Sequence, residues 1–217
     1  PRELLGKLGI APPQTADASV LKAASLKADY NGNFKSAALS NLVLKLDEST
    51  ARGSLNLRDF GTQAIQFALK LDQLDADRYL PPKPKTAAGA GGGDKANIND
   101  ISIPAETLNQ LNAEGTLDVA LLKLNGLKLE DVTLRLAGGK GQVKSQNVSA
   151  KLYGGGITLS NQFTPGTKPK YAIKTSLNTL STGPFLQDFL GKDYLSGLGS
   201  LSLDLNSGGL TVGDLRK

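Results

Sequence analysis

The chain has 217 residues and a formal charge of +5, and it contains no cysteine, histidine, methionine or tryptophan. Without cysteine there is no disulfide framework, thiolate metal site or cysteine nucleophile. Without histidine the usual general base, the Ser-His-Asp arrangement and the commonest transition-metal ligand are gone. The basic residues are mostly single lysines, often beside Asp or Glu, with one tight cluster at Lys83-Pro84-Lys85; aromatics make up only 5% of the chain, and nothing here builds the Arg-and-aromatic face of a nucleic-acid binder.

In chain order, the sequence opens at Pro1 without a methionine and reads as a piece of a longer protein, any membrane anchor being expected outside it. No run reaches the ~18 apolar residues of a membrane helix, and no signal peptide is visible. Arg2–Leu8 reads as the tail of an amphipathic helix ending near Gly9. Period-2 alternation then dominates: Leu39–Leu46 (LSNLVLKL), Ser54–Leu57 (SLNL) and Phe67–Leu71 (FALKL). A helical turn at Tyr79-Leu80 leads into Pro81–Asn97 (PPKPKTAAGAGGGDKAN), which has almost nothing to bury and reads as a flexible linker. Pro104–Leu111 has Pro at a first helical position and predicts a short helix. Alternation resumes at Leu117–Leu124, Leu127–Leu136, Val148–Leu152, Ile157–Leu159, Tyr171–Leu177 and Leu201–Leu205, with a further helix predicted at Pro184–Leu190. Turn residues at Asn31-Gly32-Asn33, Gly138–Gly141 and Pro165-Gly166 separate the strands, and Tyr153-Gly154-Gly155-Gly156 reads as a bulge or sharp bend.

Three gapless matches suggest an internal repeat: Leu39–Leu46 with Leu129–Leu136, Gly53–Leu57 with Gly155–Leu159, and Phe67–Leu80 with Ile173–Leu186. The expected fold is therefore mainly β: an elongated, curled, groove-like antiparallel sheet built from two related β units, with a few short helices. The expected division is a first β unit with its short helix over residues 1–80, a linker over 81–97 and a second unit over 98–217.

No catalytic motif emerges. The acids Asp47-Glu48, Asp75-x-Asp77 and Glu130-Asp131 read as solvated turn residues, and the glycine tracts lack the context of a phosphate loop. No enzyme activity, cofactor or metal is expected. What remains is an apolar face rich in Leu. In a compact sandwich it is simply the core; in a single curled sheet it is an open trough. A 16-carbon acyl chain buried there would gain on the order of 10 kcal/mol before entropy costs.

Leu71–Pro82, Leu124–Leu136, Ala150–Ser160 and Gly183–Leu205 together resemble the later part of the AsmA domain. The resemblance implies a Gram-negative protein anchored in the inner membrane by a helix outside this chain, projecting into the periplasm, and linked to outer-membrane assembly and lipid homeostasis. It also implies a β groove that contacts or conducts phospholipid. On the inward alternation, the candidate groove residues are Leu42, Leu44, Leu46, Leu55, Leu57, Leu69, Leu71, Val132, Leu134, Leu136, Leu152, Ile157, Leu159, Ile173 and Leu177. The partner expected is phospholipid or another acyl-chain lipid. The alternative is a closed β scaffold that recruits envelope proteins through its sheet edges.

Overall fold

In the computed structural model, residues 14–81, 110, 112–192 and 195–209 are described. The helices read at Arg2–Leu8 and, apart from Gln110, at Pro104–Leu111 lie outside them, as does the linker beyond Pro81. Ten strands form: β1 (Ala24–Gly32), β2 (Ala37–Leu46), β3 (Ser49–Asp59), β4 (Ala64–Asp75), β5 (Ala113–Leu124), β6 (Leu127–Ala137), β7 (Lys144–Leu152), β8 (Gly155–Thr164), β9 (Lys170–Ser181) and β10 (Leu198–Gly208). Two short helices, α1 (Ala76–Tyr79) and α2 (Thr182–Leu190), follow β4 and β9.

The strands lie side by side in chain order in one open, curled sheet. Adjacent pairs are antiparallel except β4–β5, which is parallel. The expectation of a wholly antiparallel sheet fails there because the chain leaves β4 through α1 and returns to the end where β4 began. Two hairpin turns have the left-handed pair of a type I′ turn, whose twist matches the flanking strands. These are Asn125-Gly126 (φ 53° and 81°) and Tyr153-Gly154 (φ 45° and 78°). Tyr153–Gly156 is thus a hairpin between β7 and β8, not a bend within a strand.

The repeat is real, but its register differs from two of the three matches read in the sequence. β4 (residues 64–75) and β9 (170–181) lie 106 positions apart at both ends, and α1 and α2 begin at the same offset. That offset also carries β2 onto β7 and β3 onto β8, so the equivalent units are β2-β3-β4-α1 and β7-β8-β9-α2. The match of Phe67–Leu80 with Ile173–Leu186 has this offset. Leu39–Leu46 belongs with residues 145–152 rather than 129–136, because β2 and β6 run in opposite directions in the sheet. Gly53–Leu57 likewise belongs with residues 159–163.

The equivalence extends to contacts. Asp47 and Tyr153 hold the same turn position and are both left-handed (φ 51° and 45°). In the first unit the Tyr79 hydroxyl of α1 donates to Asp47 Oδ2 at 2.9 Å. In the second, Phe185 of α2 meets the Tyr153 ring edge to face at 6.0 Å. The same two positions dock each helix onto its hairpin, by a hydrogen bond in one copy and an aromatic contact in the other.

Among the described strand residues other than glycine, three are left-handed: Asn41 (φ 50°), Asp131 (φ 50°) and Thr179 (φ 51°). Each sits at a register shift, between Leu39 and Leu42, between Glu130 and Thr133, and opposite the interval from Gly199 to Leu201. These bulges insert one residue, so apolar spacing widens locally from two to three, as in Leu39/Leu42, Leu129/Val132 and Leu177/Leu180.

Candidate functional site

Cross-strand partners in a pleated sheet point to the same face. Following the register from strand to strand places all fifteen candidate groove residues on one face. One row runs Leu26, Leu44, Ala51, Leu71, Val119, Val132 across β1 to β6. After the β6–β7 bulge it resumes as Ala150, Ile157, Leu177, Leu201. A second row runs Leu42, Gly53, Leu69, Leu117, Leu134, Val148, Leu159, Thr175, Leu203. Leu55, Leu57, Leu136 and Ile173 extend the face toward one end, and Leu46 and Leu152 toward the other.

Val119, Val132 and Ala150 are buried at its centre, with Leu71, Leu74, Leu117, Leu122, Leu129, Val148 and Ile157 packed round them. Of the fifteen, Leu42, Val132 and Leu152 are buried, Leu44 and Leu55 are each 36% exposed, and the others are half-buried. Among the described residues no second sheet lies over this face, and α1 and α2 sit at one end of it. On this face the half-buried residues pack against neighbouring apolar side chains of the same sheet. Val119, Leu117, Val148 and Ala150 were legible from the phase of their runs but not singled out. Leu26 was hidden because β1 carries only two large apolar residues.

The opposite face is polar. Thr133, Ser149, Thr158, Ser176 and Ser202 form a row across β6 to β10, flanked by Arg135, Asn147, Ser160, Lys174 and Asp204. A hollow of about 480 Å³ lies over these rows. A second hollow, about 410 Å³, lies at the helical end, where Leu74, Leu121, Leu122 and Leu129 meet Arg78, Tyr79, Lys123, Lys128 and Glu130.

Three of the turn acids, Asp47, Asp75 and Asp77, are half-buried structural anchors, while Glu48, Glu130 and Asp131 are exposed to solvent as the sequence reading expected. Asp47 receives the backbone N–H groups of Leu21 (2.6 Å), Lys22 (2.9 Å) and Ala23 (3.2 Å) as well as the Tyr79 hydroxyl. Partial burial pushes its carboxyl up, but these donors outweigh it and hold it at about 2. Burial and the Asp47 carboxylate push the Tyr79 hydroxyl up to about 12. Arg78 joins Asp17 (2.8 Å) to Glu48 (2.9 Å), and the lead-in segment so fastened buries Val20 completely. Asp77 accepts from the N–H groups of Asn125 and Gly126, Asp75 pairs with Lys123, and Asp131 pairs with Lys151. Asp47, Asp75 and Asp77 thus hold turns or strand ends, whereas the Glu48 and Asp131 ion pairs lie in solvent. No cluster of three or more acids among the described residues could hold a metal ion.

At the other end Lys144 is buried, with 5% of its surface exposed, beside its register partner Phe163 and the Tyr171 ring. Burial lowers its ammonium pKa, and the ammonium donates to the Gly139 carbonyl.

A one-layer amphipathic sheet with one apolar and one polar face defines a single-sheet β protein that presents an apolar surface. The model of the AsmA family matches residues 2–217, and the chain belongs to that family, a family of envelope-associated proteins not known for enzymatic activity. No curated protein and no solved structure matched in the corresponding comparisons. Among the described residues no helix is long and apolar enough to cross a membrane.

Proposed function

We propose that this chain is a non-enzymatic, periplasmic segment of an inner-membrane-anchored AsmA-family protein, and that its apolar face contacts or conducts phospholipid in outer-membrane assembly and lipid homeostasis. The single observation that carries the reading is the continuity of the apolar row from Leu26 to Leu201 with no opposing layer among the described residues. At ~4.8 Å per strand the row spans roughly 40 Å. An acyl tail occupies about 15 Å, half the hydrocarbon thickness of a bilayer, so a tail has more length of belt than it can cover. Large exposed apolar surfaces on a protein mark interaction sites, and a Leu-lined face with few charges offers an acyl chain burial without a directional anchor.

Native mass spectrometry of protein purified from a Gram-negative host is the test. Co-purified phospholipid is expected on the unmodified chain. It is expected to fall about tenfold on a Leu69→Asp variant, since a charge in the belt is costly against hydrocarbon. Lipid-free protein, or equal lipid on both, would overturn the reading.

A second reading, strand addition to recruit envelope proteins, is favoured by one feature. Among the described residues β10 is an edge strand whose Leu198, Leu201 and Leu203 are exposed, and its single charge, Asp204, pairs inward with Lys174. Capture of a partner that survives Leu69→Asp but not proline substitution in β10 would support it over lipid holding.

A further inference from the structure

The apolar face is not the only exposed apolar feature. At the end of the sheet away from the helices, four connections come together: residues 33–36, 60–63, 138–143 and 165–169. Phe60 N–H donates to the Lys35 carbonyl, Asn112 Nδ2 to the Thr62 carbonyl, and Ala113 N–H to the Gly138 carbonyl, so the first three connections form one contiguous rim. Three of the four present a large apolar side chain to solvent. Phe34 is fully exposed, and Phe60 and Val143 are each nearly half exposed.

The charge of this rim is one-sided. Within two residues of these connections stand six basic residues, Lys35, Arg58, Lys140, Lys144, Lys168 and Lys170, against one acid, Asp59, which is taken up by the N–H of Thr62 at 2.7 Å; Arg58 is paired with Glu114 of β5 at 2.9 Å, which leaves the lysines as the excess. Lys144 is buried; the other five are exposed. The helical end is richer in acids, and several of them pair with its basic residues: Asp17 and Glu48 with Arg78, Asp75 with Lys123, Asp188 with Lys128. The positive excess is therefore concentrated where the apolar tips are.

We propose that this rim docks on an anionic lipid bilayer, with Phe34, Phe60 and Val143 entering the headgroup boundary and Lys35, Lys140, Lys168 and Lys170 lying over the lipid phosphates. Apolar tips gain by leaving water, and lysines near an anionic surface gain from its potential; the two together are the signature of interfacial binding. The rim and the apolar face are separate surfaces, so neither proposal requires the other. The rim would set how the sheet stands on a membrane, strands upright, whatever its face carries.

Flotation of the purified chain with vesicles tests this. Binding is expected to vesicles of phosphatidylglycerol and phosphatidylcholine in equal parts, and much more weakly to phosphatidylcholine alone. A triple Phe34→Ser, Phe60→Ser, Val143→Ser variant and a triple Lys35→Glu, Lys140→Glu, Lys168→Glu variant are each expected to lose roughly tenfold or more in partition. All six positions are exposed, and circular dichroism checks that the sheet is retained. Because the chain has no tryptophan, Phe34→Trp supplies a sole reporter. Its fluorescence is expected to shift to the blue on anionic vesicles, whereas Phe189→Trp, at the helical end, is expected not to shift. Equal binding to both vesicle types, unaltered binding of the two triple variants, or a blue shift at position 189 and not at 34 would each overturn the proposal. Retained flotation of Leu69→Asp separates the rim from the lipid-holding face.

Discussion

Asp47 shows how much one side chain can organise. Its left-handed backbone makes the turn between β2 and β3, and its carboxylate gathers three N–H groups from the lead-in segment and one hydroxyl from α1. Removing it leaves several donors without a partner, so Asp47→Ala is expected to cost about 2 kcal/mol, read from the urea midpoint. Asp47→Asn keeps a residue tolerant of the left-handed region and one acceptor oxygen, and is expected to cost less. The carboxyl lies at about 2 in the folded chain against an ordinary 3.8, so its stabilisation is present above pH 3.8 and is lost as pH falls toward 2. In the Asn variant that part of the acid-dependent loss is expected to disappear. An unchanged acid profile would show that Asp47 is not an electrostatic hub. The sequence displayed Asp47-Glu48 only as two acids in a turn. Nothing local announces that residues 21–23 lie against them, because that contact depends on the tertiary path.

At the scale of elements, alternation made most strands legible, and the left-handed bulges are what blurred them. A Leu-rich run matches another at many offsets, so LSNLVLKL aligned as well with β6 as with its true counterpart, β7. The match that held was the one containing irregular spacings: Leu71/Leu74 against Leu177/Leu180, then Tyr79-Leu80 against Phe185-Leu186. Breaks in a pattern fix register better than the pattern does. β1 escaped notice because an edge strand with only Leu26 and Tyr30 as large apolar residues has little alternation to show, and the parallel β4–β5 pairing has no signature in either strand alone. The corrected repeat has a consequence for stability. Phe163 and Tyr171, packed at 5.4 Å, occupy the positions of Leu57 and Ile65 in the first unit. The first unit has no hydroxyl there, and the Tyr171 hydroxyl is buried without a hydrogen-bond partner. Tyr171→Phe is therefore expected to raise stability by about 1 kcal/mol in a thermal or urea titration. A loss of that size would mean that the hydroxyl has a partner.

For the whole molecule, the register turns ten separate alternations into one apolar and one polar surface. The candidate residues read from the sequence share a face because each run kept its phase across hairpins and bulges. Whether that face is a sealed core or an open surface was not legible, because alternation is the same in a sandwich and in a single layer; only the absence of an opposing layer over the described residues separates the two. The most direct measurement is site-specific photocrosslinking in cells, with benzoylphenylalanine placed at Leu44 or at its neighbour Lys45. Both are exposed, one on the apolar face and one on the polar face. Phospholipid adducts are expected from position 44 and not from position 45; equal adducts, or none at 44, would contradict lipid contact along the apolar face.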